Sequence, residues 1–328
     1  VGMENGAIVH KGGDEGLVRD AGRLDASGRA PGETGGTVKG LGEKIGLDTG
    51  AEINVLGHAG GGEALIGGNF QGKGPEPNAK RTYVAGEASI HADAVNQGDG
   101  GKVIVWADEV TGFAGDISAG GGNRGGDGGF VEVSGKENLE FVGHVTLNAP
   151  EGSSGTLLLD PKTLTIVDAE GGGSLDEDVL DGEILAEEQP EVEGTVSWGQ
   201  IVDLASSNPN AQLILQAIED VTINDITGVV SGEDNFVQVG LTEGNLIEQI
   251  PDGSLQISST TGSINFNGPN DRIATDGGNI TLSAANDIVA RTIETDGGNV
   301  TLTATNGNIS FDDINAGFFN FQGGGNGG

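Results

Sequence analysis

Short segments with alternating apolar and polar residues run through most of this chain. Residues 279–283, with the sequence Asn-Ile-Thr-Leu-Ser, are typical of them. Because successive side chains of a β-strand point to opposite faces, this alternation predicts strands with one buried face. Glycine-rich turns separate the segments, and short strands between such turns indicate an all-β chain.

Internal repeats extend this prediction from single strands to an architecture. Residues 275–284 (TDGGNITLSA) recur 20 positions later as residues 295–304 (TDGGNVTLTA). In the N-terminal half, a glycine opens a strand at Gly36, Gly62, Gly101, Gly129 and Gly155. A second type of strand lies between them, at residues 22–26, 51–55, 88–92, 115–119 and 143–147. A repeat of about 20–28 residues can bury its apolar face by stacking on the next copy, which predicts a parallel β-solenoid with glycines at its corners. A β-sandwich is the alternative.

One segment departs from the repeats. The chain is acidic and irregular after residue 170, and Ser197 then precedes apolar residues at helical spacing, Trp198, Ile201 and Leu204. A serine in this position is a good helix N-cap, so we predict a short helix around residues 197–206. The predicted organisation is therefore N-terminal coils with Gly-Gly corners (1–169), an acidic loop plus the helix (170–210), C-terminal coils (211–317), and an apolar strand with a glycine-rich tail (318–328).

Charge and composition exclude several classes of protein. The net charge is −35, from 50 acidic and 15 basic residues. Such a surface repels phosphate backbones and anionic lipids, so we expect neither nucleic-acid binding nor membrane insertion. The chain has no cysteine, which excludes disulfides and thiolate sites. It opens on Val1 without a signal peptide, so we interpret it as a processed or excised piece of a longer polypeptide.

Four strings carry a family resemblance: residues 64–72 (ALIGGNFQG), 100–108 (GGKVIVWAD), 128–136 (GGFVEVSGK) and 157–161 (LLLDP). In this order, and over about residues 5–315, the chain resembles filamentous-haemagglutinin-like exoproteins of two-partner secretion, especially those of cyanobacteria. The resemblance implies a right-handed parallel β-helix, export through an outer-membrane secretion partner, and a place at the surface of a Gram-negative bacterium. It also implies a role in adhesion, aggregation or surface fibres. The secretion domain of that family is not in this chain, so the resemblance covers the stalk region.

The sequence offers little catalytic chemistry. Its four histidines, His10, His58, His91 and His144, are scattered singly without metal-ligand spacing, and no nucleophile or nucleotide motif occurs. We therefore predict that the chain is not an enzyme. The main alternative is a polysaccharide lyase or hydrolase, which needs clustered carboxylates, basic residues and stacking aromatics. A carbohydrate-binding module is a further alternative, with Trp106 and Tyr83 as exposed-looking aromatic candidates. Trp106 follows a buried-type strand, however, which favours packing against a corner, so we name no sugar site.

These observations favour an extracellular structural or adhesive protein that forms a fibre by stacking its coils, with other copies, the rest of a longer chain or cell-surface glycans as partners. Phe318, Phe319 and Phe321 could supply a strand to a neighbouring copy in head-to-tail assembly, or could instead close the local core. Asp276 and Asp296 occupy equivalent corners of successive repeats. Stacked carboxylates repel each other, so calcium is the one cofactor that we consider, at these two residues.

Overall fold

The computed structural model describes residues 1–167, 194–224, 236–239, 253–269, 271–275 and 277–323. These residues form mostly β-strands and one α-helix, and nearly all the strand pairs are parallel. The predicted all-β, parallel character is thereby confirmed. The chain divides into two compact units. The described part of unit 1 is residues 1–160, and that of unit 2 begins at Pro161.

Unit 1 contains fifteen strands among its described residues. They are β1 (Gly2–Glu4), β2 (Ala7–Asp20), β3 (Arg23–Asp25), β4 (Thr37–Leu47), β5 (Glu52–Asn54), β6 (Glu63–Ile66), β7 (Arg81–Val84), β8 (Ser89–His91), β9 (Lys102–Ala107), β10 (Val110–Phe113), β11 (Asp116–Ser118), β12 (Phe130–Gly135), β13 (Asn138–Phe141), β14 (His144–Thr146) and β15 (Thr156–Leu159).

Both strand types predicted for the N-terminal half are present and pair in register. The glycine-opened strands β4, β6, β9, β12 and β15 form one parallel ladder, which aligns Val38, Ala64, Val103, Val131 and Leu157. The second type, β3, β5, β8, β11 and β14, forms a separate parallel sheet, which aligns Leu24, Ile53, Ile90, Ile117 and Val145. All of these apolar residues except Leu24 are buried. The alternation in the sequence therefore identified the buried face of each strand.

A third ladder was not predicted. The second half of β4 pairs with β7, and β10 and β13 continue that ladder in parallel. It aligns Phe113 with Phe141, and the two rings stack with their centroids 5.3 Å apart. Two buried threonines at equivalent positions donate hydrogen bonds to strand carbonyls at 2.7 Å, Thr82 to Trp106 and Thr111 to Ser134. The two threonine hydroxyls are thus satisfied by carbonyls of the neighbouring glycine-opened ladder.

The paired glycines mark sharp turns that have no room for a side chain. A methyl group on Gly61 would lie 1.9 Å from the carbonyl oxygen of Ala92, in the following repeat. One on Gly62 would lie 2.1 Å from the carbonyl oxygen of Gly36, in the preceding repeat. The same two clashes recur at Gly100-Gly101 and at Gly128-Gly129. Each member of a pair therefore faces the backbone of a different neighbouring repeat, which explains why the glycine is doubled.

Unit 2 contains fifteen strands and the helix among its described residues. They are β16 (Leu164–Val167), β17 (Thr195–Ser197), α1 (Trp198–Ser207), β18 (Gln212–Ala217), β19 (Val221–Ile223), β20 (Phe236–Val239), β21 (Ser254–Ser259), β22 (Ile264–Phe266), β23 (Arg272–Thr275), β24 (Ile280–Ala284), β25 (Ile288–Val289), β26 (Thr292–Thr295), β27 (Asn299–Ala304), β28 (Ile309–Ser310), β29 (Asp313–Asn315) and β30 (Phe318–Gly323).

Three parallel ladders build unit 2. The first joins β18, β21, β24, β27 and β30, and the second joins β16, β19, β22, β25 and β28. The third joins β20, β23, β26 and β29. The 20-residue offset seen in the sequence appears directly as the pairing of Ile280 with Val300 and of Leu282 with Leu302.

The predicted helix is confirmed. Ser197 is its N-cap, and the Ser197 hydroxyl accepts a hydrogen bond from the backbone N–H of Gln200 at 3.1 Å. Trp198, Ile201 and Leu204, which set the helical spacing in the sequence, are all buried. An acidic loop was predicted before the helix. Most of it, residues 168–193, lies outside the described residues.

Carboxylates at the turns connect successive repeats through backbone N–H groups. In unit 1 the Asp99 carboxylate accepts from Asp127 N–H, and the Asp127 carboxylate accepts from Ser153 N–H. In unit 2 the Asp287 carboxylate accepts from Asn308 N–H at 2.7 Å. Part of the large acidic content therefore satisfies backbone donors between repeats.

Candidate interaction surfaces

The predicted interface residues lie on β30, at one edge of the first ladder of unit 2. This strand pairs with β27, which places Phe319 beside Val300 and Phe321 beside Leu302. Val300 and Leu302 are fully buried, so Phe319 and Phe321 continue a buried row, whereas Phe318 continues the outward row of Asn299. Phe321 is nevertheless 62% exposed and Phe318 64% exposed. An interface role for Phe318, Phe319 and Phe321 stays a prediction.

Aromatic contacts organise this edge. The rings of Phe319 and Phe321 stack with centroids 5.6 Å apart, and Phe311 meets Phe319 edge to face at 5.4 Å. The stacked pair lies on the side of β30 that corresponds to the buried row of β27. It therefore offers an apolar layer, beside an edge that no other described strand pairs with, to any strand that adds to the ladder.

The predicted calcium residues are not brought together by any described contact. Asp276 lies outside the described residues. Asp296 lies after β26, and its backbone N–H donates to the carbonyl of Thr275. Within the described ranges, no group of three histidine or acidic residues could hold a metal ion. Calcium at Asp276 and Asp296 stays a prediction.

Melting experiments test the calcium prediction. A bound ion stabilises the state that binds it, so calcium at this turn is expected to raise the Tm of the protein above that in a chelator. Replacing Asp296 with asparagine is expected to abolish that rise, because it removes one ligand charge. A melting temperature that is the same in calcium and in chelator contradicts the hypothesis.

Trp106 and Tyr83, the two exposed-looking aromatic candidates, are both buried, as was expected for Trp106 but not for Tyr83. Trp106 is 4% exposed and Tyr83 is 7% exposed. The indole of Trp106 lies beneath residues 67–78, and a methyl group on Gly72 would lie 2.5 Å from its ring. Its Nε1 donates to the Asp108 carboxylate at 3.1 Å. Neither aromatic ring is available to stack on a sugar, so these two residues do not support a carbohydrate site.

Residues 67–78, which we call the strap, connect β6 to β7 and cross the outer face of the glycine-opened ladder. Beneath the strap lies an apolar cluster of Leu65, Ile104 and Trp106, with Phe130 packed against it. Phe70 of the strap contacts Phe130 edge to face, with the ring centroids 5.7 Å apart. The outer face of this ladder is therefore a second buried layer instead of a solvated surface.

Polar contacts fix both ends of the strap to the sheet. Asn69 donates to the Glu76 carboxylate at 2.7 Å, and Lys39 of β4 donates to the same carboxylate at 2.7 Å. Asn78 donates to the carbonyl of Gly72 and to the Asp108 carboxylate. Lys39 and Asn69 hold the pKa of Glu76 below its ordinary value despite its burial.

The buried carboxylate of Glu132 lies beneath the middle of the strap. It is fully buried on β12, and both of its oxygens lie 3.1 Å from the backbone nitrogen of Gln71, which donates to them. The side chain of Gln71 also donates to the Asp160 carboxylate at 3.2 Å. Burial raises the pKa of Glu132 to about 7, and the nearby charge of Asp160 also raises it.

Sequence reasoning missed Glu132, although one signal was present. Residues 130–133 read Phe-Val-Glu-Val, and the alternation places Glu132 on the face opposite to Val131 and Val133. Such a glutamate normally points into water. The signal was the 14-residue connection between β6 and β7, which has its own glycines and prolines. A connection of this length can fold over a neighbouring sheet face and cover it.

A groove of about 690 Å³ lies beside the strap on unit 1. Its floor is the buried apolar cluster of Ala7, Val9 and Leu41, and Pro75 and Pro77 of the strap form part of one wall. The lysines that line it are paired with neighbouring acids, Lys11 with Glu4 and Lys39 with Glu76. No aromatic residue lines the groove, so it lacks the stacking surface that a sugar site needs.

One histidine lies in a serine–aspartate cluster that the sequence did not reveal. His91 Nδ1 lies 3.0 Å from the Ser118 hydroxyl, which donates to the Asp93 carboxylate at 2.5 Å. Asp93 also accepts from the backbone N–H of Gly120. In a nucleophilic triad the histidine lies between the serine and the acid, whereas here the serine lies between them. The cluster therefore connects neighbouring strands and does not activate the hydroxyl.

Comparison with protein-family models found no match to this chain, and comparison with curated proteins found no similar sequence. No helix in the described part of the chain has the length and apolar character needed to cross a membrane.

Proposed function

We propose that this chain is a segment of an extracellular structural or adhesive protein of the filamentous-haemagglutinin type, and that copies of it associate head to tail into a fibre. The proposed architecture is a closed, right-handed parallel β-solenoid. It would stand at the surface of a Gram-negative bacterium after export through an outer-membrane partner. Its proposed role is structural: the chain would present a repetitive, rigid and acidic surface.

The pairing pattern supports the solenoid. In each unit three sets of strands form in-register parallel ladders. Apart from the pairs β1–β2 and β16–β17, consecutive described strands along the chain fall in different ladders. A parallel ladder needs a crossover between its strands, and in a solenoid the other strands of the same repeat supply that crossover. Parallel crossovers are right-handed in about 98% of cases, which supports the proposed hand.

The observation that carries the fibre proposal is the edge strand β30. Among the described strands only β27 pairs with it, and it presents the exposed ring of Phe321, which continues a row of fully buried residues. Open strand edges template the addition of another strand, and an apolar layer over the core adds affinity. A second copy is the occupant that we propose.

Electron microscopy of two matched variants tests the fibre proposal. Replacing Phe321 with serine is expected to shorten or abolish the fibres, because an added strand would bury this ring. Replacing Phe318 with serine is expected to have a smaller effect, since Phe318 lies on the outward row. The measurement is the length distribution in negative stain at neutral pH, together with the sedimentation of each protein.

Isolated particles from the unchanged chain would contradict self-assembly and would leave the continuation of a longer polypeptide as the occupant of this edge. Fibres that tolerate both substitutions equally would show that β30 does not form the contact. Circular dichroism of the two variants controls for folding, because both changes lie on an exposed strand and neither is expected to unfold unit 2.

A further inference from the structure

The residue at the centre of the strap has an unusual backbone conformation. Gln71 has φ 52° and ψ 33°, the left-handed conformation that is uncommon for residues other than glycine. This conformation aims its backbone N–H at the Glu132 carboxylate while its side chain reaches Asp160. Backbone strain persists only where surrounding contacts maintain it. The two carboxylates beneath Gln71 are therefore what hold the strap in this geometry.

The Glu132 carboxylate has little compensating positive charge. Glu132 receives hydrogen bonds from Gln71 and Ser134, and the charged groups that act on it are Asp160, at the end of β15, and Lys102 of β9. Lys102 is directed to Glu63 and Asn69, with its Nζ 3.3 Å and 3.2 Å from their oxygens. On the strap itself, Lys73 donates to the side chain of Gln71, and Glu76 pairs with Lys39. An ionised Glu132 would thus be a buried charge next to a second acid.

We propose that the strap is a pH-dependent latch, closed over the Trp106 cluster when Glu132 is protonated and released when Glu132 ionises. Protonation removes the repulsion between Glu132 and Asp160 and leaves a carboxyl oxygen to accept from Gln71. Ionisation favours an open strap, in which water can reach the carboxylate. Opening uncovers Leu65, Ile104 and Trp106, so the latch controls the exposure of an apolar patch on an otherwise acidic surface.

The direction of the pH dependence follows from proton binding in the two states. In the closed strap the pKa of Glu132 is about 7, and in the open strap it returns to its ordinary value near 4.5. Between these values the closed state holds the proton more tightly, so closure is strongest below about pH 4.5 and weakens as the pH rises towards 7. The opening constant is expected to rise by up to about tenfold per pH unit in this window and to level off above it.

Hydrogen exchange read by mass spectrometry tests the latch on the full chain. After correction for the intrinsic rates, protection of the peptide that spans residues 67–78 is expected to fall about a hundredfold between pH 5 and pH 8. The peptide that contains β5 provides the reference, because its buried Ile53 belongs to the separate second sheet of unit 1, which the strap does not cross. A loss of protection that is equal in both peptides would indicate general unfolding and would overturn the proposal.

Two variants identify the group that titrates. Glu132→Gln keeps an acceptor for Gln71 but cannot ionise, so strap protection is expected to become independent of pH. Asp160→Asn removes the like charge, so the pH at which protection levels off is expected to move downward. All four histidines remain in both variants. Strap protection that does not vary with pH in the unchanged chain, or that varies as before in Glu132→Gln, would overturn the proposal.

Discussion

Replacing Gly101 with alanine is expected to destabilise unit 1 by about 3 kcal/mol or more, the largest effect that we expect from a single methyl group. The added carbon would lie 2.1 Å from the carbonyl oxygen of Gly62 and 2.9 Å from that of Ala92. Neither oxygen can move away, because each is already hydrogen-bonded: Lys102 N–H donates to the first and Gly101 N–H to the second. Urea unfolding followed by tryptophan fluorescence measures the loss, in a Trp198→Phe background so that Trp106 of unit 1 is the only reporter.

Gly22 provides the matched control. A methyl group on it would meet no atom within 4 Å, and its backbone is not in the left-handed region. Gly22→Ala is therefore expected to be neutral or slightly stabilising, because alanine restricts the unfolded chain more than glycine does. Equal unfolding midpoints for the two variants would show that the close approach at Gly101 is relieved by small shifts, and that the doubled glycines have another cause.

The sequence located strands correctly where the same residue type is required at the same point of every repeat. Every glycine-opened strand of unit 1 was located because the clash with neighbouring backbone forces glycine at the same point of each repeat. The third ladder was missed because β7, β10 and β13 (RTYV, VTGF and NLEF) share no such residue. Their buried positions include Thr82 and Thr111, which lack an apolar pattern and are satisfied by carbonyls of other strands. All four positions of β7 and of β10 are buried, so apolar and polar residues do not alternate there and periodicity cannot identify these strands.

Sequence failed at the strap for a different reason. Alternation describes one strand at a time and assigns its second face to solvent. The strap converts that second face into a buried layer, and it does so through contacts between distant residues: Gln71 meets Glu132 61 positions away and Asp160 89 positions away. A local pattern cannot report a partner at such a distance, so the latch could be inferred only from the structure.

Replacing Trp198 with alanine is expected to destabilise unit 2 by about 3–5 kcal/mol, because it removes the bulkiest fully buried side chain of the described residues. Trp198 begins α1 and is 1% exposed. Its Nε1 has no hydrogen-bond partner among the described residues, so its contribution is one of packing. Urea unfolding followed by far-ultraviolet circular dichroism measures the change.

Phenylalanine at position 198 separates packing from hydrogen bonding. Trp198→Phe keeps much of the apolar volume and removes an indole N–H whose burial without a partner is unfavourable. This variant is therefore expected to lose much less stability than Trp198→Ala. Ser197→Ala, which removes only the N-cap bond to Gln200, is expected to cost about 1 kcal/mol. If Trp198→Phe were as damaging as Trp198→Ala, the indole N–H would have to be bonded, and the helix would depend on that bond instead of on its buried apolar face.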